Sequence, residues 1–244
     1  MATLYFISDA HLGLDSPAVE KDKETRLISF LSHIERDATE LFIVGDLFDA
    51  WFEYRTVMPK GFYRLFTKFD EMIRKGIIIH YLAGNHDYWI RDFFRDELGM
   101  KTYHDPFEIT SNGWKIYLHH GDGVLKGDTG YRILKKILRN RMNIWLYSWL
   151  HPDIGLPLAH SSSKKSRHYT AEKDYGEGDG MRSFAKHKIE EGSDVVIMGH
   201  SHQPLLSKIG NGTYINLGDW ITHYTYAEIS EGKIQLKEWK PSAS

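Results

Sequence analysis

Five short apolar runs in this chain stop in the same way. Leu4 to Ile7 ends at Ser8-Asp9-Ala10-His11, and Leu41 to Val44 at Gly45-Asp46. Ile77 to Leu82 ends at Gly84-Asn85-His86-Asp87, Ile116 to Leu118 at His119-His120-Gly121-Asp122, and Val195 to Met198 at Gly199-His200-Ser201-His202. Runs this short, rich in aliphatic and β-branched residues, read as buried strands. Between them the period changes to that of a helix. Leu27, Ile28, Leu31 and Ile34 recur at helical spacing within Glu20 to Asp37. Phe62, Leu65, Phe66, Phe69, Met72 and Ile73 do so within Met58 to Lys75, where Gly76 supplies a stop. Strand and helix alternate up to Leu82, which predicts a layered α/β fold. From Phe107 the pattern turns to short strands with turns such as Asn112-Gly113, so a second β-rich half follows and an α/β/β/α sandwich is expected. The chain closes through Tyr214 to Trp220 and a hairpin turning at Glu231-Gly232.

Residues 123–185 break this rhythm. Tyr131 to Leu150 interleaves Tyr131, Ile133, Leu134, Ile137, Leu138, Met142, Ile144, Trp145, Leu146, Tyr147, Trp149 and Leu150 with Arg132, Lys135, Lys136, Arg139 and Arg141. Pro152, Gly155, Pro157 and Ser161-Ser162-Ser163-Lys164-Lys165-Ser166-Arg167 follow. Glu172 to Gly180 is polar and glycine-rich and is expected to be a loop, with a helix from Met181 to Glu191 leading back to the strand at Val195. The stretch 123–185 reads as an insertion over the site, leaving 1–122 and 186–244 as the core.

Composition removes several function classes. A net charge of −2 over 244 residues leaves no global basic field, so no nucleic acid partner is expected. With no cysteine, disulfides and thiolate chemistry are excluded. No basic stretch followed by a long apolar run opens the chain, and no window approaches a membrane span, so a cytoplasmic location is expected.

The chemistry lies at the strand ends. Asp9, His11, Asp46, Asn85, His120, His200 and His202 form an inventory of oxygen and imidazole donors suited to two divalent cations, with Asp46 shared between them. Asp9 with His11, and His200 with His202, are spaced by two, which puts both members of each pair on one face of an extended segment. Without thiolates such a set favours Mn, Fe or Zn in a catalytic role. Each motif alone has an ordinary reading: Asp9 as a helix cap, Gly45-Asp46 as a turn. Those readings do not explain why every core strand stops at a residue type that binds metal.

Taken together, D-x-H, G-D, G-N-H-D, a histidine before glycine, and G-H-x-H occur here in the order that resembles the calcineurin-like metallophosphoesterase superfamily. The resemblance implies a di-metal four-layer sandwich. It makes His120, the histidine before Gly121, the ligand, with His119 pointing away, and gives His86 a catalytic role at the leaving group, oriented by Asp87. His33, His80, His104, His151, His160, His168 and His187 are expected at the surface or in packing, and His223 stays undecided.

A narrower likeness adds a substrate. Gly45-Asp46-Leu47-Phe48-Asp49-Ala50-Trp51, Gly121-Asp122 with Asp128-Thr129-Gly130-Tyr131, and Ser161-Ser162-Ser163-Lys164 resemble blocks of the UDP-2,3-diacylglucosamine diphosphatases of lipid A biosynthesis. That likeness implies pyrophosphate hydrolysis to UMP and the 1-phosphorylated diacyl sugar, with Mn the expected metal, Fe or Zn standing as alternatives. It makes 123–185 a helical lid that holds the acyl chains and meets the inner face of the cell membrane. Asn85, His86, Asp128, Tyr131, Lys164, Lys165 and His200 become expected substrate contacts, Lys165 in case the alignment slips by one. An apolar trough lined by Ile137, Leu138, Trp145, Leu146 and Trp149, with Lys126, Arg132, Lys135, Lys136, Arg139, Arg141, Lys164, Lys165 and Arg167 as flanking cations, suits such a substrate. An ordinary helical hairpin packing its aromatics on the core would read the same way. One departure counts against the narrower likeness: those diphosphatases carry Gly-Asn-Arg-Asp where this chain has Gly84-Asn85-His86-Asp87. Two alternatives therefore stand beside it. One is another metallophosphoesterase, acting on a nucleotide, a phosphodiester or a different lipid head group; the other is a non-enzymatic scaffold.

Overall fold

A computed structural model describes residues 1–124, 129–171 and 177–240, with backbone alone for 129, 131–132, 164–171, 177 and 178. Two sheets stack with helices on their outer faces. The first has the order β11-β10-β1-β2-β3-β4, and the second β5-β6-β7-β9-β8. In the first, β1 (Leu4–Ile7), β2 (Glu40–Val44), β3 (Ile78–Leu82) and β4 (Lys101–Tyr103) run parallel. The hairpin of β10 (Thr225–Ser230) and β11 (Lys233–Glu238) adds to β1 antiparallel. In the second, β6 (Trp114–Leu118), β7 (Val195–Met198) and β9 (Gly212–Asn216) are parallel. They are flanked by antiparallel β5 (Phe107–Ser111) and β8 (Leu205–Ile209).

Three apolar interiors separate four layers, and strand alternation decides which residue enters which. Leu4, Phe6, Phe42 and Val44 face the opposite sheet, meeting Ile116, Leu118, Val195, Ile197 and Ile215. Their neighbours Tyr5, Ile7, Leu41 and Ile43 face outward onto α1 (Pro17–Ile34) and α2 (Tyr63–Arg74), where Phe30, Leu31, Leu65, Phe69 and Met72 cover them. Met181 and Ala185 of α6 (Glu177–Glu190) pack on Val196, Met198 and Tyr214 at the far face of the second sheet. The expected α/β/β/α sandwich is present.

Two expectations shift. The helix expected from Met58 starts at Tyr63, because Gly61 at φ +117° lies outside the helical region and Pro59 precedes it. The polar stretch expected as a loop to Gly180 is helical from Glu177: burial of Met181 and Ala185 against the sheet outweighs the poor helix propensity of Gly178 and Gly180. Among the described residues of 123–185, α6 is preceded by three helices, α3 (Thr129–Leu138), α4 (Arg141–Tyr147) and α5 (Pro152–Ala171).

Candidate metal centre

Parallel strands deliver their carboxyl ends to one edge, and loops from both sheets meet there. Backbone hydrogen bonds lace the loops together. Asp9 N donates to Gly45 O (3.1 Å), His11 N to Asp46 O (3.0 Å), Gly199 N to His120 O (2.8 Å) and Trp220 N to Asp9 O (3.0 Å). The buried Lys23 ammonium on α1 donates to His11 O at 2.8 Å. Asp9, His11, Asp46, His200 and His202 all have φ between 42° and 69°. Left-handed backbone at a non-glycine residue costs about 1–3 kcal/mol and persists only where surroundings over-determine it. Five of the eight such residues among those described are expected ligands, so the strain is concentrated at this rim.

The side chains converge accordingly. Ligand atoms of Asp9, His11 and His202 lie within 4.8 Å of one another, as do those of Asp46, His120 and His200. His11 Nε2 lies 3.6 Å from Asp9 Oδ1 and 3.7 Å from Asp46 Oδ2, so Asp46 stands between the two groups. His202 Nε2 is 3.4 Å from Asp9 Oδ1. Asn85 Oδ1 is 3.0 Å from His120 Nε2, which is 3.2 Å from Asp46 Oδ2. A methyl on Gly84 would strike the Asp46 carboxylate, and one on Gly199 that of Asp9.

The donor set demands positive charge. His120 Nδ1 donates to Val44 O at 2.9 Å, so Nε2 is left facing two oxygen acceptors. Burial alone would lower the His120 pKa, yet the neighbouring Asp46 carboxylate raises it to about 10. A proton is held where acceptors crowd, and a divalent cation answers the same demand. Burial works against ionised Asp46 too, but His120, His86 and His11 keep its pKa well below the ordinary carboxylate value. Asp9 Oδ1 and both ring nitrogens of His11 are buried without a hydrogen-bond partner. Orphaned polar atoms at this depth are rare unless an ion completes them. The residues fit two divalent cations: Asp9, His11 and His202 for one, Asn85, His120 and His200 for the other, Asp46 for both.

Residues 2–204 match the calcineurin-like phosphoesterase family. The chain belongs to this family. A UDP-2,3-diacylglucosamine hydrolase of Porphyromonas gingivalis is 33% identical over 242 residues, covering 92% of each chain. One of Psychromonas ingrahamii is 27% identical, covering 97% of this chain and 96% of its own. Among solved structures, an archaeal phosphodiesterase aligns at TM-score 0.49 and 12% identity, covering 97% of this chain and 99% of that one. Family members are metal-dependent hydrolases, and the donor set above is the feature of this chain that answers to that chemistry.

His119 behaves as expected: its ring packs on Phe184 (centroids 5.4 Å) and its Nδ1 accepts from Gly121 N. Asp87 does not. Its carboxylate accepts from Leu47 N (2.7 Å), Gly84 N (2.7 Å) and the Tyr81 hydroxyl (2.5 Å), bracing the loop rather than the His86 ring. The expectation that Asp87 orients His86 is corrected on this point: Asp87 is fully buried beneath the loop that carries His86. The partners of His86 Nδ1 are instead Asp49 O (3.0 Å) and Ser163 Oγ (2.8 Å). Burial lowers the His86 pKa.

Sequence reading missed two carboxylates. Asp49 Oδ1 lies 3.6 Å from His11 Nδ1 and accepts from Ser163 Oγ. Asp219 Oδ2 lies 3.7 Å from His202 Nδ1 and 2.8 Å from His223 Nδ1. Burial would raise Asp219, but hydrogen bonds from His202, Thr222 and His223 hold it far below the ordinary range. Both thus stand behind ligand imidazoles, where such partners fix ring orientation. Their signal was available in the sequence: Asp49 sits three residues after Asp46, and Asp219 ends the run from Tyr214. His160, expected in packing, also faces Asp49 (3.7 Å).

The helices of 129–171 meet this rim. Trp89 Nε1 donates to Leu138 O at 2.9 Å. Lys135 and Arg139, expected as free flanking cations, pair with the buried Asp122 carboxylate at 2.7 and 2.8 Å. A cleft of ≈ 120 Å³ runs from Asn85 and His86 to Leu134, Leu138 and Ser163. Beyond it, Trp145, Leu146 and Trp149 are exposed, so they do not pack on the core. Among the expected substrate contacts, Asp128 lies outside the described residues, as do the side chains of Tyr131, Lys164 and Lys165.

Proposed function

We propose that the chain hydrolyses the pyrophosphate of UDP-2,3-diacylglucosamine, releasing UMP and 2,3-diacylglucosamine 1-phosphate. The observation that carries the reading is one continuous feature: a buried di-cation donor set opening through a cleft onto an exposed apolar helical face. When bound, two divalent cations, Mn before Fe or Zn, lower the pKa of a water and neutralise charge growing on the phosphoryl oxygens. The chain's own part is positioning. Asp46 would be shared by both cations, and the laced loops keep the ligands in place before substrate arrives. His86, held at Nδ1 by Asp49 O and Ser163 Oγ, is fixed beside the reacting phosphoester. The catalytic pair named from the motif becomes His86 acting and Asp87 supporting its loop.

The substrate comes from the hydrolases that this chain resembles, and the apolar face supports it. Residues 123–185 serve as the lid, with acyl chains against Leu134 and Leu138 and Trp145, Leu146 and Trp149 at a membrane surface. Asp128, Tyr131, Lys164, Lys165 and His200 remain the proposed polar contacts. Among the described residues no helix is long and apolar enough to cross a membrane. A peripheral position on the inner face of the membrane accompanies the reading, with the exposed apolar helical face in its support.

His86 in place of arginine favours a second reading, another phosphoester bound at the same centre. Purified chain with Mn²⁺ and UDP-2,3-diacylglucosamine tests both. Stoichiometric UMP release supports the first. Turnover of bis(p-nitrophenyl) phosphate without UMP release moves the assignment to the second, and no turnover of either, with no metal bound, leaves a scaffold.

A further inference from the structure

We infer that Ser163 and Asp49 form a positioning pair that fixes the His86 imidazole, so that the seating of α5 controls which ring nitrogen faces the reacting centre. This rests on His86 acting at the phosphoester, and not on which phosphoester is cleaved.

The hydrogen-bond directions follow from the partners. Asp49 O is a carbonyl and can only accept, so the His86 Nδ1 that lies 3.0 Å away carries the proton. Ser163 Oγ lies 2.8 Å from the same Nδ1 and 2.9 Å from Asp49 Oδ1. The single hydroxyl proton goes to the carboxylate, which leaves a lone pair for Nδ1–H. A serine proton aimed at Nδ1 would leave the Asp49 carbonyl facing a ring lone pair. One arrangement therefore satisfies all three groups, and it reserves Nε2 for chemistry.

The two members of the pair come from different parts of the chain. Asp49 follows β2, and its Oδ1 also faces His11 Nδ1, tying it to the metal rim. Ser163 lies on α5, and His160, one turn earlier on the same face, approaches Asp49 Oδ2 at 3.7 Å. Tyr147 on α4 donates to Gly155 O at 2.6 Å, holding the start of α5. Ser163 is buried although its helix carries exposed apolar residues such as Ile154 and Leu158. Whatever seats that helix, substrate or membrane, also completes the hydrogen bonds of His86. The arrangement suits a histidine at this position; an arginine has no lone pair and no tautomer to select.

The test uses full-length chain with Zn²⁺ in place of paramagnetic Mn²⁺. Two-bond ¹⁵N–¹H imidazole spectra should show His86 as the Nδ1–H tautomer. Ser163→Ala should shift it toward a mixture, and Ser163→Thr should restore it. With Mn²⁺ and bis(p-nitrophenyl) phosphate, Ser163→Ala should lower kcat about tenfold, the scale of one buried hydrogen bond, with KM changed less than about twofold. In a His86→Ala background the same substitution should cost nothing further. An unchanged His86 tautomer in Ser163→Ala, an equal loss in the His86→Ala background, or an effect on KM alone would each overturn the pair. If neither substrate is turned over, the proposed function fails, while the spectra still decide the pair.

Discussion

The metal rim and the α3–α5 face are built on opposite terms. At the rim, polar groups are buried, strained and cross-braced: five expected ligands take left-handed backbone, and Asp87, Asp49 and Asp219 stand behind the loops and imidazoles. On the α3–α5 face, apolar groups are left in water. Eleven of the nineteen exposed large apolar side chains among the described residues lie between Ile133 and Leu158. Each region is incomplete in the coin of its own chemistry: the rim lacks positive charge, and the helical face lacks an apolar partner. An exposed apolar patch of that kind marks an interaction site. The contrast separates a rim braced to hold charge from a face left open to an apolar partner.

The largest effect expected is at the rim. Asp46→Asn should lower kcat at least about 10²–10³-fold, the scale of removing one preorganised stabilising group, and cut bound metal measured by elemental analysis. Retained metal and activity would make the rim a mere buried polar network. On the other face, Trp145→Asp with Trp149→Asp should reduce binding to anionic vesicles about tenfold or more, since each buried aromatic contributes roughly 1.5–3 kcal/mol. Thermal stability should stay within about 2 °C, as both indoles are solvent-exposed. A large drop in Tm instead would show that they pack on the protein. Where the regions join, Arg139→Ala removes one cation from Asp122 and the guanidinium stacked on Tyr88 at 4.0 Å. A cost of about 1–3 kcal/mol is expected in urea titration, and an unchanged midpoint would mean that this pair does not anchor α3.

The smallest effect lies between the sheets, far from either region. His80 is buried, stacked on Phe42 at 4.2 Å and bonded to Glu40 at 2.7 Å. Burial lowers its pKa despite Glu40. Below about pH 6.5 an unfolded chain takes up a proton that the folded one resists, so stability is full above that pH and declines as pH falls toward the folded value. Comparing urea midpoints of wild type and His80→Phe across that window checks the sign; a slope left intact in the variant would assign it to another group.

Much of the architecture was readable from period alone. Short apolar runs found β1 and β2, though only the fold decided which of their side chains enter the inter-sheet core, and a helical stripe from Phe62 to Met72 found α2, though Gly61 moved its start. The polar run before Met181 misled because local propensity is weak beside burial of one methionine and one alanine against a sheet. Asp49 and Asp219 passed unnoticed because their places beside the motifs, though visible in the sequence, do not show which carboxylate meets an imidazole.

The order and type of the donors were determined by sequence alone: carboxylate, amide and imidazole at the ends of short apolar runs, in the succession shared with the phosphoesterase family. Which groups stand behind them was decided only by the fold. Asp87 points into the loop, His86 turns to Ser163, and the cations at Lys135 and Arg139 turn to Asp122. Sequence records which hydrogen-bonding groups a chain owns, while distance and direction select among partners, and those exist only once residues 77 or 114 positions apart are packed together.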